Sequence, residues 1–391
     1  MEVTADQAAD LLGVRLQTIY AYVSRGLLTR SQRTNGTGHR VSVFTLDEVL
    51  RLAAERTRVR TGSLEVLVET DVTLLDPKGA LSFRGHDAVA LAGRPFEEVA
   101  ELMWAGQGDV DGWSLRPGEA ELVCRAAGSL GPAATDADRV RAAVLGLATV
   151  DQDRYDLGPE HVTAVGRRAV AGGVTALGGA ADGGCLAERL WPALGGSTPT
   201  AEGLAALNAA LVLLVDHELA ASTMAARIAA GTGADPWLVL LAGLGALGGL
   251  RHGRSSVAAA QLIDQVRRVG AAALDAYAPD GPLPGFGHKV YVDADPRAEV
   301  LLDHVARLDP QGWPTLEALL LAASDRFGVS PNVDLALAAL VGVCGFREGS
   351  GETIFALSRM VGWLAHAIEE YPQGLRFRPR AVYTGEARGP G

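Results

Sequence analysis

The sequence predicts a mainly α-helical body preceded by a small winged helix-turn-helix domain. Three observations lead to this prediction. Beyond residue 87 the chain consists of Ala- and Leu-rich stretches with helical periodicity, separated by Gly, Pro and Asp. Apolar residues make up 48% of the chain, which is enough for a large buried core. Residues 1–62 have a different pattern, in which two short helices precede a pair of strands.

The length and the charge of the chain limit its organisation. A chain of 391 residues is long for one core and predicts two or three domains. The net charge of -11 argues against a protein that coats nucleic acid or an anionic membrane. Residues 1–60 carry nine arginines and six acidic residues, whereas the remainder has a net charge of -14. A basic head on an acidic body suggests two functions.

The cysteines and the apolar stretches indicate the compartment. Cys124, Cys185 and Cys344 show no metal-ligand spacing, and no cleavable signal opens the chain. We therefore expect reduced, buried thiols in a cytoplasmic protein. The longest apolar stretch, residues 237–250, has 14 residues, four of them glycine. It is too short to span a bilayer and predicts a buried core helix.

The first 62 residues have the pattern of a separate module. Thr4 and Gln7 form a capping-box pattern at the start of a first helix. A second helix is predicted over residues 16–25. Asn35 and Gly36 precede an alternating β-branched run, which predicts a hairpin that would form a wing. This order of elements resembles the winged helix-turn-helix of the MerR and excisionase type.

The second helix of this module carries candidate DNA contacts. Its polar and aromatic side chains can face a groove, and neighbouring arginines can bind phosphates. The candidates are Arg15, Gln17, Thr18, Tyr20 and Arg25. The alternative is a small domain that docks on the body or on a partner and contacts no DNA. The modest charge predicts weak, salt-sensitive non-specific binding.

The body begins with short strands and continues as helices. Residues 64–75 and 79–87 contain β-like runs separated by a turn. No repeat of fixed period follows. Since many glycines lie in the helical part, we expect helices that pack closely against one another.

Four short blocks in the second half of the chain carry residues suited to acid–base chemistry. They centre on His217, His252, His288 and Asp334. A neutral imidazole at a dry helix end, with its second nitrogen held by the backbone, can donate to a developing enolate, and His252 fits this description. His288 lies in a Gly-Phe-Gly-His turn, where it can give a proton to a carbonyl under attack.

The other two blocks leave alternatives open. His217 follows an apolar run, at the inner end of a predicted buried helix, and the alternative is a structural histidine bonded to a carbonyl. Asp334 begins an apolar segment, so burial should raise its pKa toward the working pH. Such a carboxylate suits removal of a weakly acidic proton beside a thioester carbonyl. The alternative for Asp334 is a helix N-cap.

Three downstream arginines complete the candidate set. Arg297, Arg359 and Arg378 can each clamp a carboxylate through two hydrogen bonds. Only two of the 35 basic residues are lysine, so arginine is the default cation of this chain. The alternative for any one of the three is therefore a solvated surface residue.

Taken together and in this order, the blocks resemble those of the citrate synthase family. The similarity runs from about residue 64 to residue 386 and includes residues 76–87, 96–104, 358–366 and 378–380. It implies a large helical domain, with a smaller helical domain inserted near its C-terminal part, that closes around the substrates. The implied domains are 1–62, 63–254 with 356–391, and 255–355.

The resemblance also implies a role for each residue. Asp334 would take a proton from the acetyl methyl group of acetyl-CoA, His252 would stabilise the enol, and His288 would protonate the ketone of oxaloacetate. Oxaloacetate would be bound by His217, Arg297, Arg359 and Arg378. The last arginine would come from the neighbouring subunit, which implies a homodimer. The resemblance implies an acyl-CoA substrate, no metal and no other cofactor.

Departures from the family pattern keep other hypotheses open. Ala220 stands where the family usually has Asn, and the small domain is short. The first hypothesis is an enzyme that condenses acetyl-CoA or a short acyl-CoA with oxaloacetate to give citrate or 2-methylcitrate. The second is a DNA-binding regulator whose body senses a carboxylate or an acyl-CoA. A third is condensation with another keto acid. Acetyl and propionyl substrates differ by only ~1–3 kcal/mol in such a pocket.

Overall fold

The computed structural model describes residues 2–12, 16–24, 28–34, 40–46, 48–49, 67–104, 113–250, 252–277 and 282–374. The chain divides into two compact units, residues 1–69 and residues 70–391. The boundary predicted after residue 62 lies outside the described residues and stays a prediction.

The first unit contains two helices and a three-stranded antiparallel sheet. Its elements are β1 Glu2–Thr4, α1 Ala5–Leu12, α2 Leu16–Ser24, β2 Ser31–Thr34 and β3 Arg40–Thr45. The strand order is β1-β3-β2, so β2 and β3 form the predicted strand pair, and the residues of its turn lie outside the described part. The capping box is confirmed, because Thr4 and Gln7 each accept a hydrogen bond from the other's backbone N–H. A small core that includes Ile19 and Phe44 joins the helices to the sheet.

The second unit begins with a small antiparallel sheet. Its strands are β4 Thr73–Asp76, β5 Ala80–Phe83 and β6 His86–Asp87, in that spatial order. The register pairs Thr73 with Phe83 and Asp76 with Ala80. These strands confirm a β start of the body, but the first strand begins at Thr73, and residues 67–72 of the predicted run are not strand.

Helices make up the rest of the second unit, as predicted. They are α3 Ala88–Leu91, α4 Phe96–Met103, α5 Glu119–Gly128, α6 Asp136–Ala148, α7 Pro159–Ala176, α8 Leu186–Ala193, α9 Ala201–Leu213, α10 Ala221–Gly231, α11 Pro236–Leu247, α12 Ser255–Val269, a 3-10 turn Gly270–Ala276, α13 Pro296–Leu308, α14 Trp313–Phe327, α15 Val333–Val343 and α16 Ser350–Gln373. No helix of the described residues is long and apolar enough to cross a membrane.

Capping residues define where several of these helices begin. Thr135 and Asp138 form a complete capping box at α6. Asp235 and Asp295 each cap a helix whose first residue is proline, at α11 and α13. Asn332 caps α15 by accepting the backbone N–H of Asp334 at 3.0 Å. These caps fix the residue at which each helix begins, and so fix the positions of the residues that follow, such as Arg297 and Asp334.

Helix α16 runs through the centre of the second unit. It is buried from Ser350 to Ala367 and packs on α7, α10 and α11. Gly243 of α11 lies against the ring of Trp363, because an added Cβ would be 2.4 Å from that ring. The backbone N–H of Gly362 donates to the carbonyl of Val215 at 3.1 Å. These close contacts fix α16 against the segment that follows α9.

The predicted buried helix at residues 237–250 corresponds to α11, which ends at Leu247. The three cysteines are free, as expected, but the prediction that they are all buried was wrong. Cys344 is buried, whereas Cys124 and Cys185 are exposed.

Candidate active site

A cavity of about 500 Å³ in the second unit brings the distant sequence blocks together. It is lined by Leu75, His217, Glu218, Leu219, Ala220, Ala221, His252, Ser255, Gly287, His288, Lys289, Val290, Arg297, Asn332, Val333, Asp334, Phe355 and Arg359. Six of the seven predicted site residues are in this set. The seventh, Arg378, lies outside the described residues.

His217 reaches the cavity from the turn after α9, near the inner end of that helix, as predicted. It is four residues beyond Leu213, the last residue of that helix. The buried carboxylate of Asp216 accepts the backbone N–H of Glu218 at 2.9 Å and contacts the His366 imidazole at 3.3 Å. Glu218 has a φ of 53°, a left-handed conformation that non-glycine residues seldom adopt. This tight bend directs His217 into the cavity.

His217, His288 and Tyr291 form a cluster of rings. The Tyr291 hydroxyl lies 3.2 Å from Nε2 of His217. The two imidazoles have their centroids 5.0 Å apart in an edge-to-face arrangement, and the Tyr291 ring lies 4.6 Å from that of His288. Burial, followed by the charge of Arg297, lowers the pKa of His217 well below its ordinary value. His217 is therefore neutral near pH 7.

The backbone fixes the tautomer of His288. Its Nδ1 accepts the N–H groups of Val290 at 3.0 Å and Tyr291 at 3.1 Å. The neutral ring must then carry its proton on Nε2. Gly287, with a φ of 72°, permits the turn before His288, and its carbonyl accepts from the Asn332 side chain at 2.9 Å. Burial lowers the pKa of His288, so this ring is a neutral hydrogen-bond donor.

Arg297 is held by a carboxylate of its own helix end. Its Nε and one terminal nitrogen donate to the two oxygens of Asp295 at 2.9 and 2.8 Å. Asp295 also accepts the backbone N–H of Val333 at 3.0 Å. Burial opposes ionisation of Arg297, but Asp295 outweighs it and raises the arginine pKa. The guanidinium is thus oriented before any ligand arrives.

Asp334 occupies the second position of α15, not its N-cap. The N-cap is Asn332, so the capping alternative was wrong. The Asp334 side chain lines the cavity, and burial raises its pKa to about 6, against the opposing charges of Arg297 and Arg359. This is the direction that the apolar sequence around it predicted.

His252 lies in the turn between α11 and α12, beside a serine. The Ser222 hydroxyl is 2.8 Å from Nε2 of His252, so the partner is a side chain and not the predicted backbone group. The Phe355 ring meets the imidazole edge-to-face with centroids 5.8 Å apart. Burial, then the charge of Arg359, lowers the pKa of His252 to about 4. The ring is therefore neutral over the physiological pH range.

Arg359 is a buried cation with unused donors. It is 1% exposed, and its Nε donates to the carbonyl of Leu214 at 2.7 Å. Its two terminal nitrogens are buried, and among the described residues they have no hydrogen-bond partner. Burial lowers its pKa to about 10, which still leaves it charged at pH 7. Such a group is suited to bind a carboxylate in two places.

The sequence did not identify three residues that hold this site together. Ser222, Tyr291 and Asp295 are the partners of His252, His217 and Arg297. The first two lie inside the blocks that drew attention to the histidines, which was the available signal. Ala220 begins α10 without a side-chain cap and lines the cavity.

The candidate DNA contacts are only partly described. Tyr20 is exposed, with the Arg30 guanidinium 5.7 Å from its ring centroid. Thr18 is half-buried, and Gln17 belongs to α2. Arg15 and Arg25 lie outside the described residues.

Comparisons with known proteins show what the chain is similar to. The family model for the citrate synthase C-terminal domain matches residues 64–380. Citrate synthase 2 of Bacillus subtilis is 34% identical over 209 residues, which cover 51% of this chain and 56% of that protein. The 2-methylcitrate synthase of Mycobacterium tuberculosis is 28% identical over 363 residues, which cover 85% of this chain and 92% of that protein.

A solved structure extends the agreement to the fold. Citrate synthase from Thermoplasma acidophilum, in a ternary complex with carboxymethyl coenzyme A and oxaloacetate, superimposes with a TM-score of 0.70 at 26% identity. The match covers 83% of this chain and 95% of that chain.

Proposed function

Since the chain belongs to the citrate synthase family, we propose that its cavity condenses acetyl-CoA, or another short acyl-CoA, with oxaloacetate. The products are citrate, or 2-methylcitrate, and free CoA. The protein is a condensing acyltransferase that uses no cofactor apart from its acyl-CoA substrate. This relationship favours an enzyme over a regulator that has kept only the fold.

One observation carries the proposal: a carboxyl group of raised pKa shares a cavity with two neutral imidazoles. Asp334 with a pKa of about 6 is largely ionised at pH 7, yet basic enough to remove a proton from carbon. His252 and His288 line the same cavity and are both neutral donors. These are the groups that an enolisation followed by carbonyl addition requires.

The first step is enolisation of the thioester. Asp334 takes a proton from the carbon next to the thioester carbonyl. We assign the Ser222 hydroxyl as the donor to Nε2 of His252, which places the imidazole proton on Nδ1, where it can be donated to the thioester oxygen. Because the ring is neutral, it stabilises the enol without first protonating the ground-state carbonyl.

The second step forms the carbon–carbon bond. The enol carbon attacks the ketone carbon of oxaloacetate, the thioester carbonyl re-forms as the enol proton returns to His252, and the ketone oxygen takes up the Nε2 proton of His288. The proton that Asp334 removed then restores that of His288 by way of water. Water then attacks the thioester of the citryl-CoA product, which breaks the carbon–sulfur bond and releases CoA and citrate. The neutral His288 tautomer, held by two backbone N–H groups, supports its role as this acid.

Binding of the dicarboxylate falls to the cations. The unpartnered nitrogens of Arg359 suit one carboxylate, and Arg297 and His217 suit the remaining oxygens. Arg378 from a partner subunit of a homodimer would complete the set. The proposed small domain, residues 255–355, would close on the large domain and exclude water. The cavity lining supports this division, because both segments contribute to it.

A thiol-release assay tests the proposal. Purified protein with oxaloacetate should release free CoA from acetyl-CoA, from propionyl-CoA or from both, measured side by side with a chromogenic disulfide. The ratio of the two kcat/KM values assigns the protein as a citrate or a 2-methylcitrate synthase. Absence of thiol release with both acyl-CoAs, in a protein that binds oxaloacetate, would refute the condensing activity.

We further propose that residues 1–62 form a winged helix-turn-helix that binds DNA, in a cytoplasmic protein. The helix–helix–hairpin order and the excess of arginine support this proposal. Fluorescence anisotropy with DNA flanking the protein's own gene should show binding that weakens steeply with salt. The full-length protein with Tyr20→Ala should bind more weakly than the parent. Equal affinity for this DNA and for unrelated DNA at every salt concentration would contradict sequence-specific recognition.

A further inference from the structure

We propose that Tyr291 is a positioning residue for the dicarboxylate site, whose hydroxyl holds His217 in the tautomer that carries its proton on Nδ1. The inference rests on the proposed function for the identity of the ligand, a dicarboxylic 2-oxo acid. It concerns the proton position on one imidazole, which the structure makes accessible to a direct measurement.

Tyr291 contacts several groups of the cavity at once. It is 5% exposed, and its hydroxyl oxygen lies 3.2 Å from Nε2 of His217. Its ring lies 4.6 Å from the His288 ring, tilted by 32°, and the Arg297 guanidinium carbon is 6.0 Å from its centroid. The side chain is therefore packed between the residues assigned to the oxo acid, and little room is left for it to rotate.

The contact alone fits either direction, and we assign Tyr291 as the donor because His217 then keeps a proton on its other ring nitrogen for the ligand. Burial raises the pKa of Tyr291 to about 12, so its hydroxyl keeps its proton. His217 is neutral and has one proton for two nitrogens. Within the described part of the chain, Nε2 of His217 is the acceptor that this hydroxyl reaches. Donation from tyrosine to Nε2 leaves the imidazole proton on Nδ1.

The opposite direction would work against binding. If Nε2 kept the proton and donated to the tyrosine oxygen, Nδ1, the other ring nitrogen of this cavity-lining histidine, would be an acceptor. A carboxylate or ketone oxygen of the ligand would then face another acceptor. With the proton on Nδ1, His217 joins Arg297 and Arg359 as a donor, so every group assigned to the oxo acid offers a hydrogen.

The variant Tyr291→Phe distinguishes the effect of Tyr291 on His217 from its effect on His288. Tyr291 fixes His288 through its backbone N–H, which Tyr291→Phe retains, and fixes His217 through its hydroxyl, which Tyr291→Phe removes. The ring and its packing are unchanged. Tyr371→Phe is the matched control, because the Tyr371 hydroxyl donates to the carbonyl of Ala234 at 2.9 Å and does not line the cavity.

Binding and kinetics provide the first test, on the full-length protein. Calorimetry with oxaloacetate alone should give a Kd for Tyr291→Phe about three- to tenfold above that of the parent. The KM for oxaloacetate should rise by the same factor, while kcat changes by less than about twofold. Tyr371→Phe should leave both values unaltered. An unchanged Kd for Tyr291→Phe would overturn the inference.

Nitrogen-15 spectra of the imidazole rings provide the second test. In the parent, the His217 signals, assigned by their loss in His217→Gln, should show a protonated Nδ1 and an unprotonated Nε2. A protonated Nε2 would overturn the inference even in a fully active enzyme. A parent that releases no thiol but shows the expected tautomer would remove the proposed function and leave the positioning role intact.

Discussion

The two arginine regions of the cavity differ in how their charge is balanced. Arg297 lies at the start of α13 and makes a two-point ion pair with Asp295. Arg359 lies in the middle of α16 and reaches only a backbone carbonyl with its Nε. Both are at least 97% buried. Burial disfavours both charges, yet the pKa of Arg297 is raised and that of Arg359 is lowered to about 10.

This difference indicates a division of labour in ligand binding. The charge of Arg297 is already neutralised, so it orients a ligand oxygen without depending on the ligand's charge. Arg359 should bind an anion favourably, because burying a cation without an ion-pair partner raises the free energy of the folded protein. The substrate carboxylate would provide that partner. Selectivity for an acid over its ester should therefore reside at Arg359.

The largest effect is expected at Asp334, which interacts with both arginines. Asp334→Asn should lower kcat by about 10³-fold, because it removes the base and keeps the side-chain volume. Oxaloacetate should still bind, as calorimetry can check. The exposed Asp325→Asn in α14 is the matched control and should be fully active. A variant at position 334 that keeps even a tenth of the parental kcat would exclude Asp334 as the base.

The two arginines should differ in their effect on stability. Arg297→Met leaves the buried Asp295 carboxylate without its partner and should lower the free energy of unfolding by about 3 kcal/mol. Arg359→Met removes a charge that forms no ion pair with the described carboxylates and feels Asp216 and Asp334 only at longer range. The change should therefore stay within about 1 kcal/mol. Urea unfolding at pH 7 measures both, and both should bind oxaloacetate poorly.

Arg326→Met is the control for loss of an arginine, because its ion pair with Asp275 is solvent-exposed. It should change the free energy of unfolding by less than about 0.5 kcal/mol. Equal destabilisation by Arg297→Met and Arg359→Met would show that the two arginines do not differ in how their charges are balanced in the folded protein.

The pH dependence should separate activity from stability. Asp334 has a folded pKa of about 6 against 3.8 for the ordinary group. Its stabilising contribution is complete below pH 3.8 and is lost as the pH rises through 6, by at most about 3 kcal/mol. The ionised form is the base, so kcat/KM should rise over the same interval.

Unfolding curves of the parent and Asp334→Asn, compared from pH 4 to pH 8, isolate this group. His252 acts in the opposite direction, since its pKa is depressed to about 4 and its contribution is lost as the pH falls below 6.5. That contribution is common to both proteins and cancels in the difference. A difference that does not vary with pH would contradict the raised pKa of Asp334.

A smaller effect is expected at Ser222, which contacts His252. Ser222→Ala removes the hydroxyl that orients His252 and should lower kcat by about tenfold, the equivalent of one hydrogen bond of about 1.4 kcal/mol. Ser129→Ala is the control, because the Ser129 hydroxyl bonds a carbonyl at 2.8 Å away from the cavity. An unchanged kcat for Ser222→Ala would show that a group other than Ser222 fixes the tautomer of His252.

Much of this picture could be predicted from the sequence. Helical periodicity predicted the mainly α-helical body, and the capping box of Thr4 and Gln7 is a local pattern of four residues. Blocks of unusual composition led to His217, His252, His288 and Asp334. These predictions rest on short-range patterns or on family resemblance, and both can be recognised from the sequence alone.

The balance of charge could not be predicted in the same way. In the sequence, Asp295 is an ordinary cap before proline, and its ion pair with Arg297 depends on both being buried. Arg359 is one of many arginines, and only packing shows that its terminal nitrogens have no partner. Asn332 and Asp334 compete for the same cap, and the fold decides in favour of Asn332. These outcomes depend on tertiary neighbours that are distant in the chain.

The backbone at Glu218 has a consequence for engineering. Holding a glutamate at a φ of 53° costs roughly 1 kcal/mol or more, whereas asparagine adopts this conformation more readily. Selection for heat resistance should therefore recover Glu218→Asn early. The position adjoins His217, for which substrate binding is proposed, so such a variant would reveal whether thermal tolerance and turnover can be improved together at this bend.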